Sequence, residues 1–159
     1  MFQNGTSPMI RFAFAALAFA AAFGAAEAQP TDFLDAVASI KAGHHDCPHC
    51  VLAGADLTNQ CVKQGNLEGA DFDNARAVLM CMSFADFKGA SFRGTDLSGA
   101  NLAGARLDGA DMTGANLTIT SFKGTDLTHT KGLTQAQLDT ACGDAETKAP
   151  AGMTVKTCN

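Results

Sequence analysis

The chain has 159 residues, with 16 Asp and Glu against 11 Lys and Arg, a formal net charge of −5, and neither Trp nor Tyr. So mild an acidic excess, with both signs interspersed, excludes a basic nucleic-acid-binding surface. Six cysteines in a chain of single-domain length leave complete disulfide pairing open, which an oxidising compartment permits.

Residues 1–28 read as a secretory signal. Arg11 lies in a polar lead, 12–23 is an apolar run, and Ala26-Glu27-Ala28 supplies a small-x-small cleavage site. The run is shorter than the roughly 20 residues a membrane-spanning helix needs. The expectation is export to a periplasm or secretion, with cleavage near Ala28 and no transmembrane span in the mature chain.

Residues 29–50 are expected to cap the domain that follows. Within them 31–43 has the pattern of a short helix, with Thr31 or Asp32 as N-cap, Phe33, Val37 and Ile40 on one side, and Gly43 as the stop. The next stretch, His44-His45-Asp46-Cys47-Pro48-His49-Cys50, is the chemically suggestive one. Its Cys-x-x-Cys resembles the site of periplasmic thiol oxidants, but no βαβ pattern surrounds it. Haem attachment needs a His directly after the second Cys, where Val51 stands. His44, His45 and His49 with Cys47 and Cys50 offer a zinc or copper ligand set, although His-rich segments of this kind often bind metal adventitiously. The preferred reading is structural: Cys47 and Cys50 form or join disulfides at the rim of the next domain, and no cofactor is expected.

From Leu52 to Leu127 every fifth residue is a large apolar one or a stand-in for one. Two before it stands a small residue, usually Ala, with Thr at 95, 120 and 125. Asp or Asn usually comes between the two, and Gly follows two after. Ala100-Asn101-Leu102-Ala103-Gly104 shows the unit cleanly. A period of five suits neither a lone helix nor a flat strand. An inward pair two apart followed by a glycine corner is a short extended segment and a turn, so the chain winds into a solenoid.

These residues resemble the pentapeptide-repeat family over about half of the chain. The resemblance implies an all-β solenoid over 51–131, a right-handed quadrilateral parallel β-helix with four pentapeptides per coil and short helical caps at both ends. Sixteen units then make about four coils. The interior columns become Leu57, Ala77, Leu97 and Leu117; Val62, Met82, Leu102 and Phe122; Leu67, Phe87, Leu107 and Leu127; and Leu52, Phe72, Phe92 and Met112. Ala77 is the one small centre, and Met80 beside it is the one large residue at a minor position, a deficit against an excess in a dense core. On this register Cys61 and Cys81 stack at ~4.8 Å, within disulfide range, although parallel Cβ vectors are poorly aimed for bridging and free thiols stay an alternative. Leu79, Phe84 and Ile119 replace the corner glycine and form a candidate contact surface, unless a cap folds over them or the repeat is distorted locally. Some relatives mimic DNA and protect topoisomerases from quinolones; Lys63, Lys88, Arg93, Arg106 and Lys123 interrupt the dense acidic face that such mimicry needs.

Beyond Leu127 the repeat fades through Thr130 and Gly132, and 132–159 is expected to close the last coil. Thr134 and Gln137 form a capping box, Leu133 and Leu138 a staple, and the helix they open is expected to run to about Cys142 and stop at Gly143. An extended 153–156 and Cys158 follow. The tail has little to bury, so a Cys142–Cys158 disulfide is expected to pin it. No nucleophile, base and oxyanion donor come together in the pattern, so the chain reads as no enzyme. It reads as a scaffold or binding module for an unidentified protein or envelope partner, not for nucleic acid. The rival reading is a small metal-handling or thiol-redox protein acting through 44–50.

Overall fold

The computed structural model describes residues 33–159; the expected signal of 1–28 and the expected N-cap at Thr31 or Asp32 lie outside that range. Helix α1 spans Phe33–Lys41. Gly43, at φ +85°, ends it: its N–H bonds Ile40 O at 3.0 Å while His44 N–H bonds Ser39 O at 3.1 Å, the paired bonds of a Schellman turn. Ala36 and Ile40, four apart, are the residues this helix buries, with Val37 packed partly against the core. Phe33 departs from the expected stripe. It occupies the first turn, at the open end of the helix, and stays 39% exposed.

From Asp46 onward the chain runs in square coils. Parallel bridges join residues twenty apart, from Val51 with Asp71 through Cys61 with Cys81 to Asp111 with Lys131. The ladder begins one unit before the periodic residues suggest: Cys47 N–H bonds Asn66 O at 2.7 Å and His49 N–H bonds Glu68 O at 2.8 Å. Cys47 thus takes the large inward position and Cys50 the small one, both fully buried. Gly65 takes a small inward position without even a methyl group, because the His45 carbonyl lies where its Cβ would be.

The unit around Leu97 shows why five residues suffice. Thr95 N–H closes the corner onto Phe92 O; Asp96 N–H reaches back one coil to Ala75 O; Leu97 and Gly99 N–H reach forward to Asn116 O and Thr118 O; and Ser98 N–H is taken by the Asp96 carboxylate at 3.1 Å. Every backbone donor of the unit has a partner, as a buried or half-buried chain requires. Gly99 sits at φ +67°, the left-handed corner that lacks a steric penalty only for glycine.

Inside, Phe72 and Phe92 stack at 4.9 Å between ring centroids and Phe87 meets Phe92 edge-on at 5.3 Å. Ala77 and Met80 are both fully buried, so the excess volume lies beside the deficit. The buried threonines are also satisfied: Thr95, Thr120 and Thr125 Oγ1 donate to Phe72 O, Leu97 O and Leu102 O, each the large residue's carbonyl one coil back.

At the far end helix α2 is only Gln135–Leu138, with both halves of the Thr134–Gln137 capping box formed. It does not continue to Cys142, because the ladder recruits that backbone: Cys142 N–H bonds Thr120 O, and Cys142 O accepts from Phe122 N–H. The chain then rejoins the sides at slipped spacings, Ser121 with Cys142 and Asp126 with Lys148, and Gly143 pairs with Thr157. Gln137 Nε2 donates to Met112 O and Ala115 O, carbonyls of the last regular coil, at 2.9 Å each. Cys142 and Cys158 are joined in a disulfide with Cα atoms 4.9 Å apart.

Candidate interaction surface

Four outward columns define four sides. Side one carries Val51, Asp71, Ser91, Asp111 and Lys131; side two Asp56, Arg76, Asp96 and Asn116; side four Asn66, Asp86, Arg106, Asp126 and Lys148. Each mixes signs, and ion pairs cross them: Arg93 to Asp111 at 3.0 Å, Arg106 to Asp86 at 2.9 Å and Lys148 to Asp126 at 3.0 Å. Side three differs. Its column, Cys61, Cys81, Asn101, Ser121 and then Cys142, holds no charge.

The corners beside side three carry the irregular residues. Leu79 and Ile119 stand on the corner between sides two and three, and Phe84 on the corner between three and four. They are 59%, 75% and 67% exposed, so neither cap covers them. The repeat is also undistorted there, since Leu79 N–H and Phe84 N–H keep their forward bonds to Ser98 O and Ala103 O at 2.9 Å. All three hold φ between 56° and 59°, where a bulky side chain is a true outlier and Ile, being β-branched, especially so. A glycine one coil on makes room for two of them: Leu79 lies over Gly99 and the Phe84 ring over Gly104, where a Cβ would collide. Side three is therefore a strip with an uncharged outward column, edged by exposed apolar side chains and, where it turns toward side four, also by the exposed Lys63 and Lys123.

Cys61 and Cys81 face out of this strip, half-buried and in register, as free thiols. A hydrogen bond with the Cys61 thiol holds the Cys81 thiol above its usual range, and burial adds to it. The structure does not join them, since residues directly opposed on parallel strands project side by side instead of toward one another.

Residues 44–50 lead from helix α1 into the first coil. Cys47 and Cys50 are joined to each other, with Cα atoms 5.5 Å apart, and both are buried in the core. His44, His45 and His49 are exposed; the His44 ring bonds Ser39 Oγ at 3.2 Å, and the His49 ring lies over Gly69. Among the described residues no group of three or more His, Cys, Asp or Glu is placed to hold a metal ion. The uncharged column of side three is the feature that sequence reasoning missed. Its signal was present, in that outward positions 61, 81, 101 and 121 lack charge, but only the coil shows them to be one surface.

The family description Pentapeptide repeats matches residues 50–78, 81–118 and 96–131, in eight copies. No curated protein matches the chain. Among solved structures the chain is similar to the pentapeptide repeat protein Rfr23 of the cyanobacterium Cyanothece 51142, at 30% identity over 65% of this chain and 63% of that one, with a TM-score of 0.44. It thus spans under two thirds of Rfr23. A pentapeptide repeat protein of Nostoc is similar at 24% identity over 76% of this chain and 98% of that one, with a TM-score of 0.41. QnrB1, a plasmid-mediated fluoroquinolone resistance protein, is similar at 22% identity over 63% and 60% of the two chains, with a TM-score of 0.28.

Proposed function

The chain belongs to the pentapeptide-repeat family, whose fold is the right-handed quadrilateral β-helix, and from that premise we propose that it is an exported, non-catalytic rod that binds another protein or an envelope component through side three. Proteins built of these repeats are generally structural or interaction modules. The observation that carries the reading is the placement of Leu79, Ile119 and Phe84 at exposed corners in a backbone region that costs a bulky residue on the order of 1–3 kcal/mol. Leu79 and Phe84 touch only the glycine one coil on, and most of each of the three side chains is left for a partner to cover. The mixed signs of sides one, two and four, with ion pairs on one and four, support a protein contact over mimicry of a nucleic acid. The leader-like 1–28 and two cystine pairs support export, and α1 with the C-terminal segment would close the two ends of the coil.

The test is a photo-crosslinking residue at Asn101, mid-strip, against one at Asp71 on side one, in living cells. A discrete partner is expected at 101 alone. The variant Leu79→Gly/Phe84→Gly/Ile119→Gly should lose that product while its stability stays within about 1 kcal/mol per site, since relief of left-handed strain offsets the added freedom of the unfolded chain. An unchanged product in the triple variant, or equal labelling at 71, would refute the assignment.

A further inference from the structure

We propose that Cys61 and Cys81 clamp one soft monovalent cation, of the copper(I) class, between their two sulfurs in the middle of side three. The two residues are paired directly across a parallel bridge. Neighbouring strands lie ~4.8 Å apart, so two side chains leaving them in parallel keep about that separation. A disulfide asks for Cβ atoms ~3.5–4.5 Å apart and turned toward each other. A cation between two thiolates, with bonds of ~2.3 Å, instead holds the sulfurs up to ~4.6 Å apart, the spacing the ladder already supplies.

The other cysteines show the contrast. Cys47 and Cys50 bridge within one turn, and Cys158 meets Cys142 with no direct bridge between their backbones, which pair at Gly143 with Thr157 and at Ser121 with Cys142. Only the directly opposed pair stays reduced. Both thiols are half-buried, so a small ion reaches them. With no third His, Cys, Asp or Glu grouped with them among the described residues, a four-ligand zinc site is not built, and two soft ligands alone suit a cation of low coordination number. On binding, both S–H protons leave to solvent and two sulfur–metal bonds form, with no electron transferred. The site then carries a net charge of one minus.

Silver(I), a redox-inert member of the same class, is the probe. The intact, unreduced chain is expected to take up one silver per monomer by native mass spectrometry, with thiolate-to-metal absorption in the near ultraviolet and a raised Tm. Cys61→Ser and Cys81→Ser should each abolish all three signals, and serine fits the column, since Ser121 occupies it natively. Silver retained by either variant, silver held only between two chains, or an absence of titratable thiols in the parent would overturn the proposal. Because Phe84→Gly leaves both sulfurs in place, its silver uptake should persist whichever way the crosslinking test falls.

Discussion

At Asp96 the carboxylate accepts from Ser98 N–H at 3.1 Å and from Ser98 Oγ at 2.5 Å, and Asp56, Asp111 and Asp126 repeat the arrangement with Thr58, Thr113 and Thr128. The outward acid is therefore part of the turn and not merely solvated. The hydroxyls of Thr58, Thr113 and Thr128, followed by their backbone N–H groups, hold Asp56, Asp111 and Asp126 below the usual carboxylate range. A depressed folded pKa contributes stability that is present above the unfolded value of about 4 and is lost as pH falls through the folded one. Asn66, Asn101 and Asn116 accept the same N–H without titrating. Hence Asp56→Asn/Asp111→Asn/Asp126→Asn should keep a Tm near the parent's at pH 7, less the small worth of two exposed ion pairs, and show a shallower fall below about pH 4. An unchanged acid limb in a pH series of melting curves would place acid sensitivity elsewhere. The sequence shows polar residues between inward pairs, which is enough to aim them outward. It does not show that the next turn brings an N–H to them, nor that the small inward Thr finds its acceptor one coil back, because both partners are set by the winding.

A single coil is held by registration more than by any one contact. Leu97 is fully buried in the column of Leu57, Ala77 and Leu117, while Asp96, its neighbour, faces out. Leu97→Asp should abolish folding of the central coils, since an unpaired carboxylate there costs several kcal/mol. Asp96→Asn should lower stability by less than about 1 kcal/mol, because the amide keeps the turn acceptor. Comparable losses in urea denaturation at 96 and 97 would contradict the register. The period of five made these columns legible from the start of the repeat to its end. The two margins were less so. Cys47 carries the first large inward position and Cys50 the first small one, but neither looks like the Leu and Ala of the pattern. At the other margin the Thr134–Gln137 box signals where a helix begins, and nothing local signals that the ladder on Thr120 and Phe122 will take Cys142 away from it.

The whole molecule has two ends, and in a solenoid each coil is stabilised only by its neighbours, so loss begins there. The tail beyond Gly143 contributes Met153 and Val155, both only partly buried, against the core. Its disulfide spans a sequence separation of 16, a loop for which the entropic contribution is about 3 kcal/mol. Cys158→Ser should therefore release the tail to proteolysis first and raise amide exchange in coils that end at Phe122 and Leu127, leaving Phe72, Phe87 and Phe92 protected. Uniform exchange along the rod would show instead that it melts as one unit. The winding has a further consequence for the two corner residues forty positions apart, Leu79 and Ile119. Gain or loss of one pentapeptide between them would keep every inward side chain inward, yet would swing Ile119 by a quarter of the circumference onto a different edge. The interior cannot sense such a change of phase; only something resting on the outside can.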